Sequence, residues 1–282
     1  MSSSHLSSSI LEKAGRIQEN MLAYFRLFAG LSGVTVADED VFWFVNAKAE
    51  PGNHILRTRI PSADVESRID EITDQIGQYT DHMDWLVFPS CQPADLGKRL
   101  EARGMSGGPG GIWMIADLTS LPGQFSMPDR IRISRVLNAK MLDVWKHVSA
   151  AGFGFDAQIY FDAYARRGFG SEAVSLHYIG YQQDEPVTSS TLLMAGDIAG
   201  IWDVSTPASF RGQGYGSAIT LAMMQEAHDR GYQHAWVWSS NMGKRVYEKV
   251  GFVAGDFGIR EYQWRKRETS RVPIHLHGGC EL

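Results

Sequence analysis

Residues 200–252 read GIWDVSTPASFRGQGYGSAITLAMMQEAHDRGYQHAWVWSSNMGKRVYEKVGF, and this stretch decides how the chain folds. It opens with an apolar run at residues 201–204 and continues into a glycine-rich turn at residues 211–216. An amphipathic segment follows over residues 217–230, and a second apolar run at residues 235–238 precedes a short helical pattern. These patterns predict the order strand, glycine-rich turn, helix, strand and helix.

The turn contains three alternating glycines, Gly212, Gly214 and Gly216. Glycine tolerates positive φ and lets the backbone approach a ligand closely. Successive amide groups at the start of a helix form a concavity that binds anions, and the helix dipole adds to this. We therefore predict a phosphate or pyrophosphate cradle, to which Arg211 adds a charge-assisted contact. The alternative interpretation is a tight connection between strand and helix.

Two common phosphate-binding motifs do not fit this turn. No Lys-Ser or Lys-Thr pair follows its last glycine, as a Walker loop would require. Its glycine spacing is G-x-G-x-G, whereas the dinucleotide fingerprint is G-x-G-x-x-G.

The whole stretch resembles motifs A and B of the GCN5-related N-acetyltransferase (GNAT) superfamily. The turn of that family, Gln/Arg-x-x-Gly-x-Gly/Ala, is matched by Arg211, Gly214 and Gly216. Its second signature is an Asn or small polar residue before a helix ending Tyr-Glu-x-x-Gly-Phe, matched by Asn241 and residues 247–252. The resemblance implies an α/β (α+β) fold: a mixed, mostly antiparallel sheet flanked by helices, which splays near the cofactor.

The composition is that of an ordinary globular protein, with 44% hydrophobic and 21% charged residues in a chain of 282. No apolar run reaches the ~18 residues of a membrane span, and the first ten residues resemble a short disordered tail rather than a secretory signal. Cys91 and Cys280 show no metal or redox spacing, so a cytoplasmic location is the simplest expectation. The net charge of −5 argues against nucleic acid as a partner.

The rest of the chain alternates between strand and helix patterns. We predict helices over residues 10–28, 62–75, 93–104, 138–150 and 156–167, with Ser62 and Asn138 as N-caps. We predict strands over residues 41–45, 54–60, 85–88, 112–118, 131–136, 173–181, 187–195 and 198–206, and a linker over residues 122–128.

The two halves of the chain resemble each other. Residues 96–105 and 243–252 both end in a helical pattern closed by glycine, and alignment on that glycine places Leu100 on Tyr247 and Glu101 on Glu248. One interpretation is that two helices end alike by chance. The other is a tandem repeat whose first copy, lacking the glycine-rich turn and the tyrosine, shapes the substrate pocket and completes the core.

The tandem interpretation divides the chain into three parts. Residues 1–125 form a degenerate GNAT-like domain, residues 126–268 the catalytic GNAT domain, and residues 269–282 a C-terminal tail. The tail contains His275, His277 and Cys280, but we expect a mobile terminus there and no metal site.

The resemblance implies acetyl-CoA as co-substrate. The backbone of the turn would hold its pyrophosphate, and main-chain N–H groups where two strands part would polarise the thioester carbonyl. Asn241 would cap its helix or bind the pantetheine arm. The candidate cofactor-binding residues are Val204, Ser205, Thr206, Arg211, Gly212, Gln213, Gly214, Tyr215, Gly216, Ser217 and Asn241.

Tyr247 is the candidate general acid. A coenzyme thiol has a pKa of about 8.5 by analogy with cysteine and a phenol about 10, so a phenol can protonate the departing thiolate. The alternative is a tyrosine that only packs in the core. Asp203, beside the expected carbonyl site, is the first candidate for the base, with Glu172 and His177 as others. Each of these three groups could instead be structural.

We therefore expect an acyltransferase that moves an acetyl group to a primary amine of a small molecule. Direct transfer in a ternary complex is favoured, because no Cys or Ser occupies a nucleophile motif. The alternatives are a protein lysine or N-terminal acetyltransferase and a non-catalytic acyl-CoA-binding sensor. No membrane partner is expected, and the chain would act as a monomer or homodimer.

Overall fold

The computed structural model describes residues 3–46, 51–121, 128 and 131–266, which build two β-sheets with helices packed against them. The first half contains α1 (Ser3–Arg26), β1 (Val34–Asp38), β2 (Val41–Asn46), β3 (His54–Thr58), α2 (Val65–Ile76), β4 (His82–Val87), α3 (Leu96–Ala102), β5 (Ser106–Gly108) and β6 (Ile112–Asp117). The second half contains β7 (Ile131–Arg135), α4 (Ala139–Phe153), α5 (Gln158–Ala165), β8 (Ser175–Gln182), β9 (Glu185–Ala195), β10 (Ile198–Ser205), α6 (Tyr215–Asp229), β11 (His234–Ser239), α7 (Lys244–Glu248), β12 (Val253–Ala254) and β13 (Arg260–Arg265).

The two sheets have equivalent strand orders, apart from β7 at one edge of the second sheet, which has no counterpart in the first. The first runs β1-β2-β3-β4-β13-β5, and the second runs β7-β8-β9-β10-β11-β6-β12. Each sheet has one parallel pair, β3 with β4 and β10 with β11, while its other pairs are antiparallel. The internal resemblance between the halves therefore extends from two helix ends to a repeated sheet topology.

The halves exchange one strand each. β6 inserts between β11 and β12 of the second sheet, and β13 inserts between β4 and β5 of the first. Each exchanged strand makes six antiparallel residue pairs with its longer neighbour, β6 with β11 and β13 with β4. The predicted division after residue 125 separates the repeats along the chain, but neither sheet is built from one side of that division.

Helix α1 joins the two sheets through buried side-chain amides. Gln18 donates from Nε2 to the carbonyl of Leu56 in β3, at 2.7 Å. Asn20, which is completely buried, donates to the carbonyls of Ala195 and Ile198 at 3.0 Å each, at the turn between β9 and β10. Because buried polar groups are costly when unpaired, these bonds fix how α1 lies across the molecule.

Most predicted elements lie close to where they were expected, but some ends differ. The Asn138 side chain accepts from the amide of Met141 at 3.0 Å, which confirms the predicted cap. Ser62 is not a cap, since α2 begins at Val65. The amide of Asp64, which a cap at Ser62 would bind, donates instead to the carbonyl of Pro61. The expected N-terminal tail is also wrong, since α1 begins at Ser3. Once a helix is nucleated, each added residue gains a hydrogen bond.

Several predictions concern residues outside those described. The tail at residues 269–282, with His275, His277 and Cys280, lies wholly outside them, and so does most of the linker. Within the described part of the chain, every helix is too short or too polar to cross a membrane.

The strand exchange makes a testable prediction about separated halves. Residues 1–125 and 126–282, produced as separate chains, should each fail to unfold cooperatively, because each exposes strand edges that the other normally covers. Produced together, they should associate and recover a cooperative thermal transition in circular dichroism, with the intact chain as reference. A cooperative transition for either fragment alone would contradict the exchanged topology.

Candidate functional site

The site lies where two parallel strands part. β10 and β11 pair only at Ala199–Ala235 and Gly200–Trp236, after which they diverge. A pocket of about 510 Å³ opens beyond this point, bounded by the end of β10, the glycine-rich turn and α7. The predicted splay near residues 204–206 is therefore present.

A β-bulge shapes the end of β10. Trp202 pairs with Thr191 of β9, but the next pair is Ser205 with Ser189, so β10 contains one extra residue there. Asp203 lies in the bulge with φ of 53°, in the left-handed region that non-glycine residues rarely adopt. Such a conformation costs about 1–3 kcal/mol and persists only where the surroundings hold it.

Hydroxyl groups of β9 hold the bulge. The Thr188 hydroxyl donates to the Ser205 carbonyl at 2.7 Å, and the Ser190 hydroxyl donates to the Trp202 carbonyl at 3.1 Å. These bonds satisfy two carbonyls next to the irregularity in the ladder. The sequence patterns did not single out these residues, although four consecutive hydroxyl residues at 188–191 were a visible signal. In the structure all four are completely buried.

The glycine-rich turn presents a row of amide groups. Gly212 and Gly214 have φ of 79° and 85°, and Gly214 is the N-cap of α6. Among the residues that the structure describes, the amides of residues 212–217 have no hydrogen-bond acceptor. Six consecutive free donors at the start of a 15-residue helix are the arrangement that an anion cradle needs, and the binding of an anion there stays a prediction.

The Arg211 side chain already forms hydrogen bonds within the protein. Its Nε donates to the carbonyl of Thr206 at 3.0 Å, and its Nη2 donates to the carbonyl of Gly152 at 2.6 Å. The guanidinium thus ties the turn to β10 and to the end of α4. It also lines the pocket, so its contact with a bound anion stays a prediction.

Positive charge collects at the turn end of the pocket. Arg245 and Lys249 line it together with Arg211, and none of the three forms an ion pair within the described part of the chain. Neighbouring Lys244, in contrast, pairs with Glu248 at 3.6 Å. Unpaired cations beside free amides favour a polyanionic ligand.

Tyr247 lies on α7 with its side chain buried against the pocket. Its hydroxyl makes no hydrogen bond to any of the residues described, and the ring packs edge-on to Phe252. Burial, followed by the charge of Asp203, raises the pKa of Tyr247 above its usual range. The phenol is therefore protonated at neutral pH and able to donate.

Asp203 lines the pocket as a carboxylate held by two phenols. Tyr24 of α1 donates to Oδ1 at 2.6 Å, and Tyr164 of α5 donates to Oδ2. Burial raises the pKa of Asp203, and the hydrogen bonds from Tyr164 and Tyr24 oppose that rise. No cation of the described chain lies within ion-pair distance of this carboxylate, which leaves it able to receive a positively charged group.

The other two candidate bases lie elsewhere. His177 is buried behind Tyr164, with their rings stacked at 4.0 Å, and its Nδ1 lies 3.0 Å from the hydroxyl of Thr191. Burial lowers the pKa of His177 to about 3, so it stays neutral at physiological pH. Glu172 is exposed and accepts from the hydroxyl of Ser171. Neither lines the pocket, because neither belongs to the segment where the sheet opens.

Asn241 does not have the predicted capping role. The helix begins at Lys244, two positions later than the cap prediction required, and Gly243 is its N-cap. Instead, the hydroxyl of Ser240 accepts from the amide of Gly243 at 3.1 Å. Asn241 is exposed and lies outside the pocket lining, whereas Ser240 belongs to it.

The equivalent cleft of the first half is closed. β3 and β4 also pair at only two positions before parting. There, however, the backbone of Gln92 bridges the gap, donating to the carbonyl of Thr58 at 2.9 Å and accepting from the amide of Ile60 at 3.2 Å. The helix ends remain equivalent: Met105 donates to the carbonyl of Leu100, and Phe252 to that of Tyr247, both at 3.2 Å.

A larger surface depression of about 720 Å³ lies beside β5 and β13. Its charged groups include Asp256 and Arg260, which pair with each other at 3.0 Å. It lies away from the glycine-rich turn and from Tyr247, so the smaller pocket is the better candidate.

Comparisons with known proteins agree with this geometry. Residues 156–252 match the model of the acetyltransferase (GNAT) family. The chain is similar in structure to a GCN5-related N-acetyltransferase from Kribbella flavida, with a TM-score of 0.62 and 15% identity over 88% of this chain and 95% of that one. The chain is also similar to a GCN5-related N-acetyltransferase from Sphaerobacter thermophilus, with a TM-score of 0.58 and 14% identity over 86% of this chain and 83% of that one.

A third similar structure is a tandem GNAT protein from the clavulanic acid biosynthesis pathway, with a TM-score of 0.56 and 12% identity over 90% of this chain and 94% of that one. No curated protein sequence matches the chain. At these identities the structural likeness concerns the fold, and it confirms the mixed α/β GNAT fold expected from the sequence.

The hydroxyl of Thr188 provides a test of how the bulge is held. Thr188→Val keeps the shape of the side chain but leaves the Ser205 carbonyl without its donor, so the free energy of unfolding should fall by about 1–3 kcal/mol. Thr188→Ser keeps the hydroxyl and should lose only about 1 kcal/mol for the missing methyl group. Urea denaturation would measure both, and equal losses would show that the hydroxyl does not stabilise the bulge.

Proposed function

We propose that this chain, whose residues 156–252 match the acetyltransferase (GNAT) family, transfers an acetyl group from acetyl-CoA to a primary amine of a small molecule. Transfer would be direct, within a ternary complex of enzyme, acetyl-CoA and amine. The observation that carries the proposal is one pocket lined by four features: a row of free amides, the gap between two strands, a protonated tyrosine, and a carboxylate that forms no ion pair with the described residues.

The turn end of the pocket suits the phosphates of coenzyme A. The amides of residues 212–217 would hold the pyrophosphate, since they have no acceptor within the described protein and point from a helix N-terminus. Arg211, Arg245 and Lys249 would add charge-assisted contacts to the phosphate groups. The gap between β10 and β11 leaves backbone groups unpaired, and these would bind the amides of the pantetheine arm.

The end of β10 suits the reacting thioester. Backbone N–H groups at Val204 to Thr206 would stabilise the oxyanion that forms when the amine nitrogen attacks the carbonyl carbon. The carbon–sulfur bond then breaks, and Tyr247 would protonate the departing thiolate. Burial raises the pKa of Tyr247, so the phenol stays protonated and has a proton to donate when the thiolate departs.

Asp203 suits the acceptor amine. An alkylammonium has a pKa of about 10.4, so producing the neutral amine at pH 7 costs about 4–5 kcal/mol. Asp203 would receive the ammonium and take its proton, since it faces no competing cation. The products are an N-acetyl amide and free coenzyme A.

The acceptor end of the pocket favours a small molecule over a protein. Trp202, Trp238 and Phe153 are among the residues that line the pocket, and α1 of the first half packs behind Trp202. A protein lysine or N-terminus would need an open groove at this position. The non-catalytic alternative, an acyl-CoA sensor, needs the cradle but neither Tyr247 nor Asp203.

The cradle can be tested with two glycines at opposite ends of α6. Gly214 and Gly231 have nearly equal φ, 85° and 88°, so alanine at either position should cost about 1 kcal/mol of backbone strain. Only Gly214→Ala should weaken coenzyme A binding in isothermal titration calorimetry, by about tenfold or more, because only Gly214 shapes the cradle. Equal affinity for the two variants would place the ligand elsewhere.

Tyr247→Phe separates an enzyme from a sensor. Loss of a general acid should lower the rate of thiol release with an amine panel by about 10²–10⁴-fold, while coenzyme A affinity changes little. Tyr232→Phe, which removes a half-buried hydroxyl far from the pocket, is the matched control and should keep full activity. A wild-type protein that binds acetyl-CoA without turning over any amine would favour the sensor.

A further inference from the structure

Helix α1 reaches the bulge of the other half with two residues one turn apart. Asn20 accepts at Oδ1 from the indole N–H of Trp202 at 3.2 Å and from that of Trp236 at 3.0 Å. Tyr24, four residues later, contacts Trp202 and Asp203. Residues i and i+4 of a helix share one face, so α1 presents Asn20 and Tyr24 together to β10.

Tyr24 contacts both Trp202 and Asp203, where β10 turns away from β11. Its ring stacks on Trp202 with a centroid separation of 3.7 Å and an interplanar angle of 5°. Its hydroxyl donates to Asp203 Oδ1 at 2.6 Å, and the side chain is almost completely buried. Since α1 lies outside residues 156–252, the part of the chain that matches the GNAT family does not include this contact.

We propose that Tyr24 is a positioning residue for the acceptor amine: together with Tyr164 it holds the Asp203 carboxylate at the bulge, so that the first half of the chain completes the acceptor site of the second. This inference rests on the proposed function, and it gives the first half of the chain a role in binding the acceptor amine.

The hydrogen-bonding capacity of the carboxylate agrees with this role. Tyr24 donates to one carboxylate oxygen and Tyr164 to the other, and Thr191 is a further hydrogen-bond partner. An ionised carboxylate has about four acceptor positions, so these three donors leave room for a substrate ammonium. Neutral donors orient the carboxylate without neutralising it, whereas an arginine in the same place would compete with the substrate for the charge.

The phenols also favour the ionised form of the carboxylate. Burial alone would favour the neutral acid, and hydrogen bonds to the charged form oppose that effect. The titratable groups that face Asp203 are Tyr24 from α1, Tyr164 from α5 and Tyr247 from α7, with neutral His177 stacked behind Tyr164. Removing one phenol hydroxyl should therefore raise the pKa of Asp203 further.

Kinetics would test the positioning role directly. Tyr24→Phe keeps the ring that stacks on Trp202 but removes the hydroxyl, so kcat/KM for the amine should fall by about tenfold or more while coenzyme A affinity is unchanged. The acid limb of the pH profile of kcat/KM should move to higher pH, because the base becomes protonated earlier as pH falls. Asp203→Asn should abolish that limb.

Tyr262→Phe serves as the matched control, since Tyr262 is a largely buried tyrosine in the first sheet whose hydroxyl has no hydrogen-bond partner among the described residues. It should leave both kcat/KM and the acid limb unchanged. Tyr164→Phe removes the second phenol and should shift the limb in the same direction as Tyr24→Phe, which keeps the test valid if Tyr24→Phe does not fold.

A titration that needs no substrate separates this inference from the proposed function. Protein labelled with ¹³C at the aspartate side-chain carboxyl would show the Asp203 resonance, assigned by its loss in Asp203→Asn. Its midpoint should rise in Tyr24→Phe and in Tyr164→Phe but not in Tyr262→Phe. An unchanged midpoint in both phenol variants would overturn the inference. Raised midpoints in a protein without turnover would support the role of Tyr24 and Tyr164 in holding the carboxylate but would refute the proposed function.

Discussion

The parting of β10 from β11 after Gly200 is the constraint on which the functional site depends. A parallel pair that continued would bury its backbone groups in the ladder and leave no gap. The extra residue in β10 turns the strand away, and this places Asp203 in a left-handed conformation. Hydroxyls from β9 then bind the backbone carbonyls beside the bulge, and phenols from α1 and α5 bind the Asp203 carboxylate.

The same framework occurs twice, but only one copy is open. In the first half the backbone of Gln92 fills the gap between the parted strands, and Leu100 stands where the second half has Tyr247. The halves are nevertheless inseparable, because β6 and β13 each complete the sheet of the other half. The closed copy thus contributes structure to the open one, and α1 extends this contribution to the rim of the site.

The local elements around the candidate site could be predicted from the sequence alone. The glycine-rich turn, the helix that follows it and the position of Tyr247 depend on residues close together in the chain, and the glycine, capping and periodicity rules describe such short-range effects. The equivalence of Leu100 and Tyr247 could also be predicted, because a helix that ends in glycine has a local signature. The choice of Asp203 over Glu172 and His177 followed from its place on the strand beside the expected carbonyl site.

Contacts between distant residues, in contrast, could be seen only in the folded chain. The strand exchange depends on the pairing of edges separated by more than a hundred residues, and no periodicity in β6 or β13 specifies the partner. The contacts of Tyr24 and Asn20 with β10 span almost 180 residues, and the buried position of His177 depends on packing against Tyr164. Sequence patterns report which face of an element is buried, whereas the identity of the opposing surface is set by packing of the whole chain.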